Sequence, residues 1–566
     1  MNQNSLPRLP LLGIAFVQGL CLLVLYRSVE SDFWPSESPV WAYPLWTLAI
    51  AVPLLLLLSI DRDNYVSVAK HVGAFGALLA LLAAYTGWQA EPFGEFPINS
   101  MTAAFVITIG LGSFKALMYL QQRANRVPLT YQVLFTNSWR NFLVGVLAGI
   151  FTFIFWLILM LWGQLFKVIE IDFFYELFTK DWFVIPVLAV AFGLGISLFR
   201  ELTRVIDNIT KLLHWLIKLL LPLVLLVAVV FLGAIPFTGL DLLWDTGSGT
   251  ALLLWLLALI LFFTNAVYQD GREADPYPLF LHRAIYAGLC FTPVVAALAF
   301  YGLLLRFQQY GWTIERCWAF VVWLVLTLFA VGYVVGIVRR RDAWTGELAR
   351  VNTAMGLVVL GIMVLANSPL LDFRKISLWS QLERVDSGEI TLAEFDFWYT
   401  KNHLARPGYL AMERMKSEIG DSDAELLALI NQPTRRTAAS PVDIDAFWAG
   451  VTYRPEPFEV PTGLKPLIER HVHTAPEYKP VLIRMDLDED GTNDYVFLMT
   501  ARYGFSVSLF YYRTESGWQT GSLDYRGPPP ADDFRERVLT GEFGLTEPRY
   551  KNLEIGGVEL RPLKLD

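Results

Sequence analysis

The sequence predicts a polytopic α-helical membrane protein of about 11 transmembrane helices, N-terminus in and C-terminus out, joined to a C-terminal α+β soluble domain. Three observations predict it. The chain of 566 residues is 55% hydrophobic and 17% charged, below the roughly 25% charged residues of soluble domains. Its apolar residues come in blocks long enough to cross a bilayer, which takes roughly 20 residues. The blocks end at Leu371, and Asp372 to Asp566 reads as ordinary water-soluble sequence, so 1–371 is expected to be the transmembrane domain and 372–566 an extracytoplasmic domain.

Taken in order, spans are predicted over 11–27, 40–60, 71–90, 102–120, 142–166, 183–199, 216–237, 250–270, 284–306, 317–338 and 353–371. The opening MNQNSLPRLP leads into an apolar run with no small-residue cleavage site before Ser28, which reads as a retained anchor over Leu11 to Tyr26. Lys and Arg favour cytoplasmic loops, and here they alternate. One set of segments carries Arg8, then Arg62 and Lys70, then Arg123, Arg126 and Arg140, then Arg200, Arg204, Lys211 and Lys218, then Arg272 and Arg283, then Arg339, Arg340, Arg341 and Arg350. The other carries only Arg27, Lys167, Lys180, Arg306 and Arg316. The expected localisation is therefore a bacterial inner membrane, multi-pass, with the C-terminal domain periplasmic.

The net charge of −8 is spread along the chain without a basic stripe, which argues against nucleic acid as a partner. Cys21, Cys290 and Cys317 all lie in or beside apolar segments, so no disulfide can staple the C-terminal domain. Within the spans Lys115 is the one clear charge and is expected to snorkel to the interface, while Gln18, Asn265 and Asn367 read as interhelical hydrogen-bonding groups. This scarcity of charge counts against ion-coupled transport. Gly145 with Gly149, and Gly193 with Gly195, suggest close helix contacts, and prolines 53, 186, 222 and 293 could kink or break their helices.

The expected outer loops are acidic: Glu30 and Asp32 in SVESDFWPSE, then Glu170, Asp172, Glu176 and Asp181, then Asp241 and Asp245. Paired carboxylates there could hold a divalent cation on a phosphorylated lipid donor. The plainer reading is that acidic residues populate loops from which basic ones are excluded. Many spans, an acidic first outer loop and a C-terminal extracytoplasmic domain together resemble the polyprenyl-phosphate-dependent glycosyltransferases in layout.

The soluble region divides into a helical part, 372–435, and a β-meander part, 436–566. Helical spacing runs from Ile376 to about Gln432, with capping boxes at Thr391/Glu394 and Ser422/Glu425. A short helix is predicted near 464–472, strands over 480–487, 494–501, 505–513 and 518–525, a helix near 532–539 and a last strand near 553–564. Between the first two strands lies DLDEDGTND, with Asp486, Asp488 and Asp490 at positions 1, 3 and 5, Gly491 at 6, the Thr492 carbonyl at 7 and Asp494 at 9. Alternating carboxylates around a glycine turn are calcium-loop spacing, so Ca²⁺ bound by Asp486, Asp488, Asp490, Thr492 and Asp494 is expected as a structural clip. Phe497 stands where an EF-hand has its bidentate Glu. The loop is instead similar to the DxDxDG hairpins of integrin-type propeller repeats, and a single copy argues against a propeller. A solvated acidic turn is the alternative. His471 and His473, with no nearby Cys, give little basis for zinc.

The opening LPRLPLLGIAFVQGLCLLVLYRSVESDFWPSESPVWAYPLWTLAIAVPLLLLLS resembles bacterial inner-membrane proteins grouped under the domain of unknown function 4153. The resemblance is carried by the LPRLPLL start, the acidic Trp-containing first loop and the LWTLAIAVPLLLL span; it implies membrane topology and no chemistry. Three function classes are expected, in this order: a scaffold or envelope-maintenance protein with a periplasmic, calcium-stabilised interaction domain; a transporter or flippase for an apolar or lipid substrate; a lipid-dependent, glycosyltransferase-like enzyme. The expected partners are the lipid bilayer and a periplasmic protein.

Overall fold

In hydrocarbon no water bonds the backbone, so a crossing segment must satisfy its N–H and C=O groups internally, as an α-helix does. A computed structural model describes residues 6–240, 243–244, 248–268, 276–419, 424–431, 444–455, 457–461, 463–469, 479–487, 490–501, 504–514, 517–523, 534–541, 553–555 and 558–560. Among them are 11 helices, or helix pairs, long and apolar enough to cross a membrane. In order these are α1 (Arg8–Glu30), α2 (Pro39–Ser59), α3 (Tyr65–Gln89), α4 (Asn99–Ala124) and α5 (Tyr131–Val168). After the short α6 (Phe173–Thr179) come α7 (Asp181–Glu201), α8 (Thr203–Thr238), α9 (Gly249–Tyr268), α10 (Leu279–Leu289) with α11 (Thr292–Tyr310), α12 (Ile314–Arg340) and α13 (Thr345–Ala366). The chain is a membrane protein with one apolar helix or helix pair for each predicted span.

The ninth span is divided. Pro293 lacks an N–H and sits in the first turn of α11, so the helix restarts after Cys290 and Phe291. Prolines 53, 186 and 222 stay inside continuous helices. Helices α5 and α8 run to 38 and 36 residues, because each begins with polar turns that hydropathy alone leaves out of the span.

The chain separates into two compact units, Met1–Thr434 and Arg435–Asp566. Two large apolar clusters hold the first. One joins α1, α2, α3, α4, α5, α7 and the start of α8 around Leu11, Leu57, Leu117 and Ile196. The other joins α8 to α13 around Leu221, Leu257, Ala299 and Trp344. Gly193 and Gly195 are close-contact positions as expected: a β-carbon at Gly193 would collide with Ala15, and one at Gly195 would stand 3.1 Å from the Ala148 α-carbon. The Gly145/Gly149 expectation is corrected, since a β-carbon at either meets nothing within 4 Å and that face of α5 packs on no helix there.

The first unit also contains α14 (Phe373–Asp386), α15 (Phe397–His403), α16 (Ala405–Ile419) and α17 (Ala424–Asn431). These helices, grouped by sequence with the soluble region, are bonded to span ends. Gln381 donates to the Tyr310 carbonyl at 3.0 Å, Arg406 to the Glu91 carbonyl at 3.0 Å, and Tyr399 Oη accepts the Ile314 N–H at 2.8 Å. The contact division thus falls at 434/435, later than the hydropathy change at 371/372. The Thr391/Glu394 capping box forms, and Ser422 lies outside the described residues.

In the second unit α18 (Ile444–Gly450) and α19 (Lys465–Glu469) accompany a five-stranded sheet in the order β1 (Thr452–Arg454), β2 (Lys479–Met485), β3 (Asp494–Ala501), β4 (Gly504–Thr514), β5 (Gly517–Ser522). The predicted meander is β2 to β5, all antiparallel; β1 adds a parallel edge that its three residues did not announce. Alternation puts Leu482, Tyr495 and Phe497 into one core with Leu464 and Ile468, and Val481, Ile483, Val496 and Leu498 into another with Val538 of α20 (Phe534–Thr540). The predicted last strand is a separate hairpin, β6 (Leu553–Ile555) with β7 (Val558–Leu560).

Candidate functional site

Helices α2 and α4 meet at their ends and part in between. Tyr43 Oη and Thr102 Oγ1 bond at 2.5 Å, and Thr102 spends its own proton on the Ile98 carbonyl at 2.9 Å, so Tyr43 is the donor. About five turns along α4, Gln121 Nε2 donates to the Leu58 carbonyl at 3.0 Å and exchanges hydrogen bonds with Asn141. Between these ties lies a groove of about 1070 Å³, at the upper end of the range of small-molecule pockets, about 300–1,000 Å³.

Its floor is the cluster that α2, α3 and α4 bury together, represented by Ala51, Phe105 and Ile109. Its walls are Ile50, Leu54, Val106, Ile107 and Phe114. Ile50, Val106 and Ile107 are 51%, 61% and 60% exposed, an arrangement suited to hydrocarbon and costly in water. Gly110 also lines the groove, and a β-carbon there meets nothing within 4 Å. The mouth is polar: Asp32, Ser36, Glu37 and Asn99, with Trp46 and Phe93 beside them. Asp32 adopts a left-handed φ of 46°, and Ser36 Oγ donates to the Ser28 carbonyl at 2.6 Å, which folds the first loop over this end.

The acidic residues singled out by sequence are not brought together. Asp32 lines the mouth, but Glu30 accepts from Arg27 at 2.8 Å, and Arg27 also reaches Asp181 at 3.5 Å. Glu170, Asp172, Glu176 and Asp181 lie around α6 and do not line the groove, and Asp241 and Asp245 lie outside the described residues. Glu37, in the same SVESDFWPSE string, is the mouth carboxylate that sequence reasoning passed over.

The intramembrane amides are interhelical ties. Gln18 donates to the Ala49 carbonyl at 3.2 Å; Asn367 pairs with Thr108 at 2.9 Å; Asn265 accepts from Asn352 at 2.8 Å and from Tyr131. A second polar centre closes the span ends. Asp372 accepts from Tyr85 Oη at 2.6 Å, Gln89 Nε2 at 2.5 Å and Arg374 Nε at 2.8 Å, with both charged residues buried. Each lone pair used there serves packing.

In the second unit Asp486 and Asp494 flank the turn between β2 and β3, where Met485 pairs with Asp494. The two Asp486 oxygens accept the N–H groups of Asp490 (3.2 Å) and Gly491 (2.9 Å), and Gly491 takes the left-handed φ of 83° that the turn requires. Asp494, buried, accepts the Leu487 N–H at 3.0 Å. Asp490 accepts from the Thr492 hydroxyl at 2.5 Å and its N–H at 2.6 Å, and these donors, the hydroxyl first, hold its carboxyl below the ordinary carboxylate range. Each Asp486 oxygen accepts one N–H and keeps a lone pair, whereas the Asp490 oxygen that accepts from Thr492 takes two hydrogen bonds. Asp488 lies outside the described residues, as do His471 and His473, and among the described residues no group of three or more His, Cys, Asp or Glu is placed to hold a metal.

A family model described as Domain of unknown function (DUF4153) matches residues 15–415. The match covers most of α1, α2 to α15 and most of α16, and stops short of the sheet unit. No curated protein and no solved structure matches the chain.

Proposed function

The chain belongs to the family described as Domain of unknown function (DUF4153), and on that premise we propose that it is an inner-membrane lipid-binding protein that takes a lipid into the groove between α2 and α4. The observation that carries the reading is the groove itself: mostly apolar along its floor and walls, where Thr47 and Ser113 are the polar exceptions, with its carboxylates, Asp32 and Glu37, at the mouth, and long enough to run from the first loop to the far turns of α4. That is the polarity profile of a lipid, with chains along the walls and a hydroxyl-bearing or cationic headgroup at the carboxylates. It favours lipid handling of the transporter or flippase class over a pure scaffold. The groove also suits a polyprenyl chain, but of the Glu30 and Asp32 pair on which the enzyme reading was built, only Asp32 lines the mouth, Glu30 being engaged with Arg27.

The basic loops orient Arg8, Arg62 and Arg123 to the cytoplasm, which puts the groove mouth and the C-terminal unit on the periplasmic side. There the loop at Asp486, Asp488, Asp490, Thr492 and Asp494 binds Ca²⁺ as a clip on the β2–β3 hairpin, in a unit available to a periplasmic protein partner.

Gly110→Trp tests the groove, because space is open at that position. The full chain, in nanodiscs doped with a diazirine-bearing phospholipid, is expected to crosslink at Ile50, Ile107 or Phe114. The variant should lose that labelling at an unchanged melting temperature. Equal labelling of wild type and variant would remove the reading.

A further inference from the structure

A second cavity, of about 1340 Å³, opens near the C-terminal end of α4, among the α2–α3 turn, the first turns of α3 and the turn into α5. Side-chain bonds build its frame: Asn64 Nδ2 donates to the Ser59 carbonyl at 3.1 Å and to Asn125 Oδ1 at 2.7 Å, and Ser67 Oγ donates to the Ala124 carbonyl at 2.8 Å. Arg62, Lys70, Arg123 and Arg126 line it and are exposed; Asp63 is the one carboxylate among its lining residues. Further in, the walls are apolar: Phe75, Ala116, Leu120 and Leu360.

Some arginines near span ends have carboxylate partners, Arg8 with Glu201 at 2.5 Å, Arg200 with Asp61 at 2.8 Å and Arg283 with Asp342 at 2.8 Å. The four cations of the cavity form no ion pair among the described residues. Loop topology accounts for basic residues on these turns, and what distinguishes these four is that they converge on one cavity with apolar walls. Guanidinium and ammonium groups at the edge of a low-dielectric wall attract phosphate oxygens more strongly than they would in open water.

We infer that this cavity binds the phosphate headgroup of an anionic phospholipid, with an acyl chain lying along Phe75, Ala116, Leu120 and Leu360. The inference stands on the cavity and its cations and does not depend on the groove reading.

The test uses the full chain in an uncharged detergent, titrated with dioleoyl phosphatidylglycerol, dioleoyl phosphatidylethanolamine or inorganic phosphate and read by native mass spectrometry. Phosphatidylglycerol is expected to bind saturably and weaken as salt rises. Arg123→Gln with Arg126→Gln should weaken it about tenfold or more, as loss of a charge-assisted contact implies. Arg62→Gln with Lys70→Gln is the second variant should the first pair fail to fold. Arg204→Gln with Lys211→Gln, exposed basic positions outside the cavity, should leave binding unchanged. Equal weakening by that control pair, or no weakening by either cavity pair, overturns the site. Binding of inorganic phosphate with no added affinity for phosphatidylglycerol overturns the lipid assignment.

Discussion

The carboxylate of Asp372 lies 2.8 Å from the Nε of Arg374, and both side chains are buried just past the last span, where Tyr85 and Gln89 of α3 complete the shell. Removing one partner leaves a buried charge unmatched, a loss of about 3–5 kcal/mol. Asp372→Ala and Arg374→Ala should each lower the unfolding midpoint of the detergent-solubilised chain. The double variant should lose less than their sum; strict additivity would show that the two do not act as a pair.

Helix crossings make a second prediction. Gly193→Leu drives a side chain into Ala15 of α1 and should cost about 1–3 kcal/mol or block folding, whereas Gly149→Leu meets open space and should keep the wild-type melting temperature. Equal tolerance would mean that α1 and α7 do not cross there.

The hydroxyl of Thr492 makes a pH prediction. Its bond to Asp490 holds that carboxyl below its ordinary value of 3.8, so the folded state favours the ionised form. A depressed folded pKa adds stability that is present above the unfolded pKa and lost as pH falls through the folded one. Thr492→Val should therefore be less stable than wild type at neutral pH, and the gap should close as pH drops below about 4. A gap that persists at low pH would assign the loss to packing.

Calcium should act on the same loop. Mass action on the native state predicts that millimolar Ca²⁺ raises the melting temperature of the second unit within the full chain, and that Asp486→Ala abolishes the rise. An equal rise in the variant, or none in wild type, reduces DLDEDGTND to a hydrogen-bonded turn.

The spans were legible because length and apolarity decide them, and the break before α11 was announced by Pro293. The groove was not legible. The α2 sequence WAYPLWTLAIAVPLLLL is apolar around its whole circumference, so no periodicity says which face meets α4 and which is left open. Asp372 reads in sequence as the first residue of a soluble domain; its burial depends on Tyr85 and Gln89, nearly three hundred residues away along the chain. Glu37 and Glu30 are indistinguishable as letters, and only the position of Arg27 separates them. The β2–β5 meander followed from short apolar runs separated by turns such as DLDEDGTND, while β1 was too short to carry a pattern.

The joint between α14–α16 and the span ends has an evolutionary consequence. For four of its hydrogen bonds the partners on the span side are main-chain groups: the carbonyls of Glu91 and Tyr310 and the N–H groups of Trp312 and Ile314. On the other side they are the side chains of Arg406, Gln381, Ser380 and Tyr399. Substitution at 91, 310, 312 or 314 leaves those bonds available, provided the new residue is not proline at 312 or 314, where the N–H would vanish. Substitution at 380, 381, 399 or 406 deletes a bond outright. At these four bonds mutational tolerance is therefore one-sided, with 91, 310, 312 and 314 free to drift and their partners constrained, whereas at Tyr85 and Gln89, whose side chains hold Asp372, the membrane helix is constrained too.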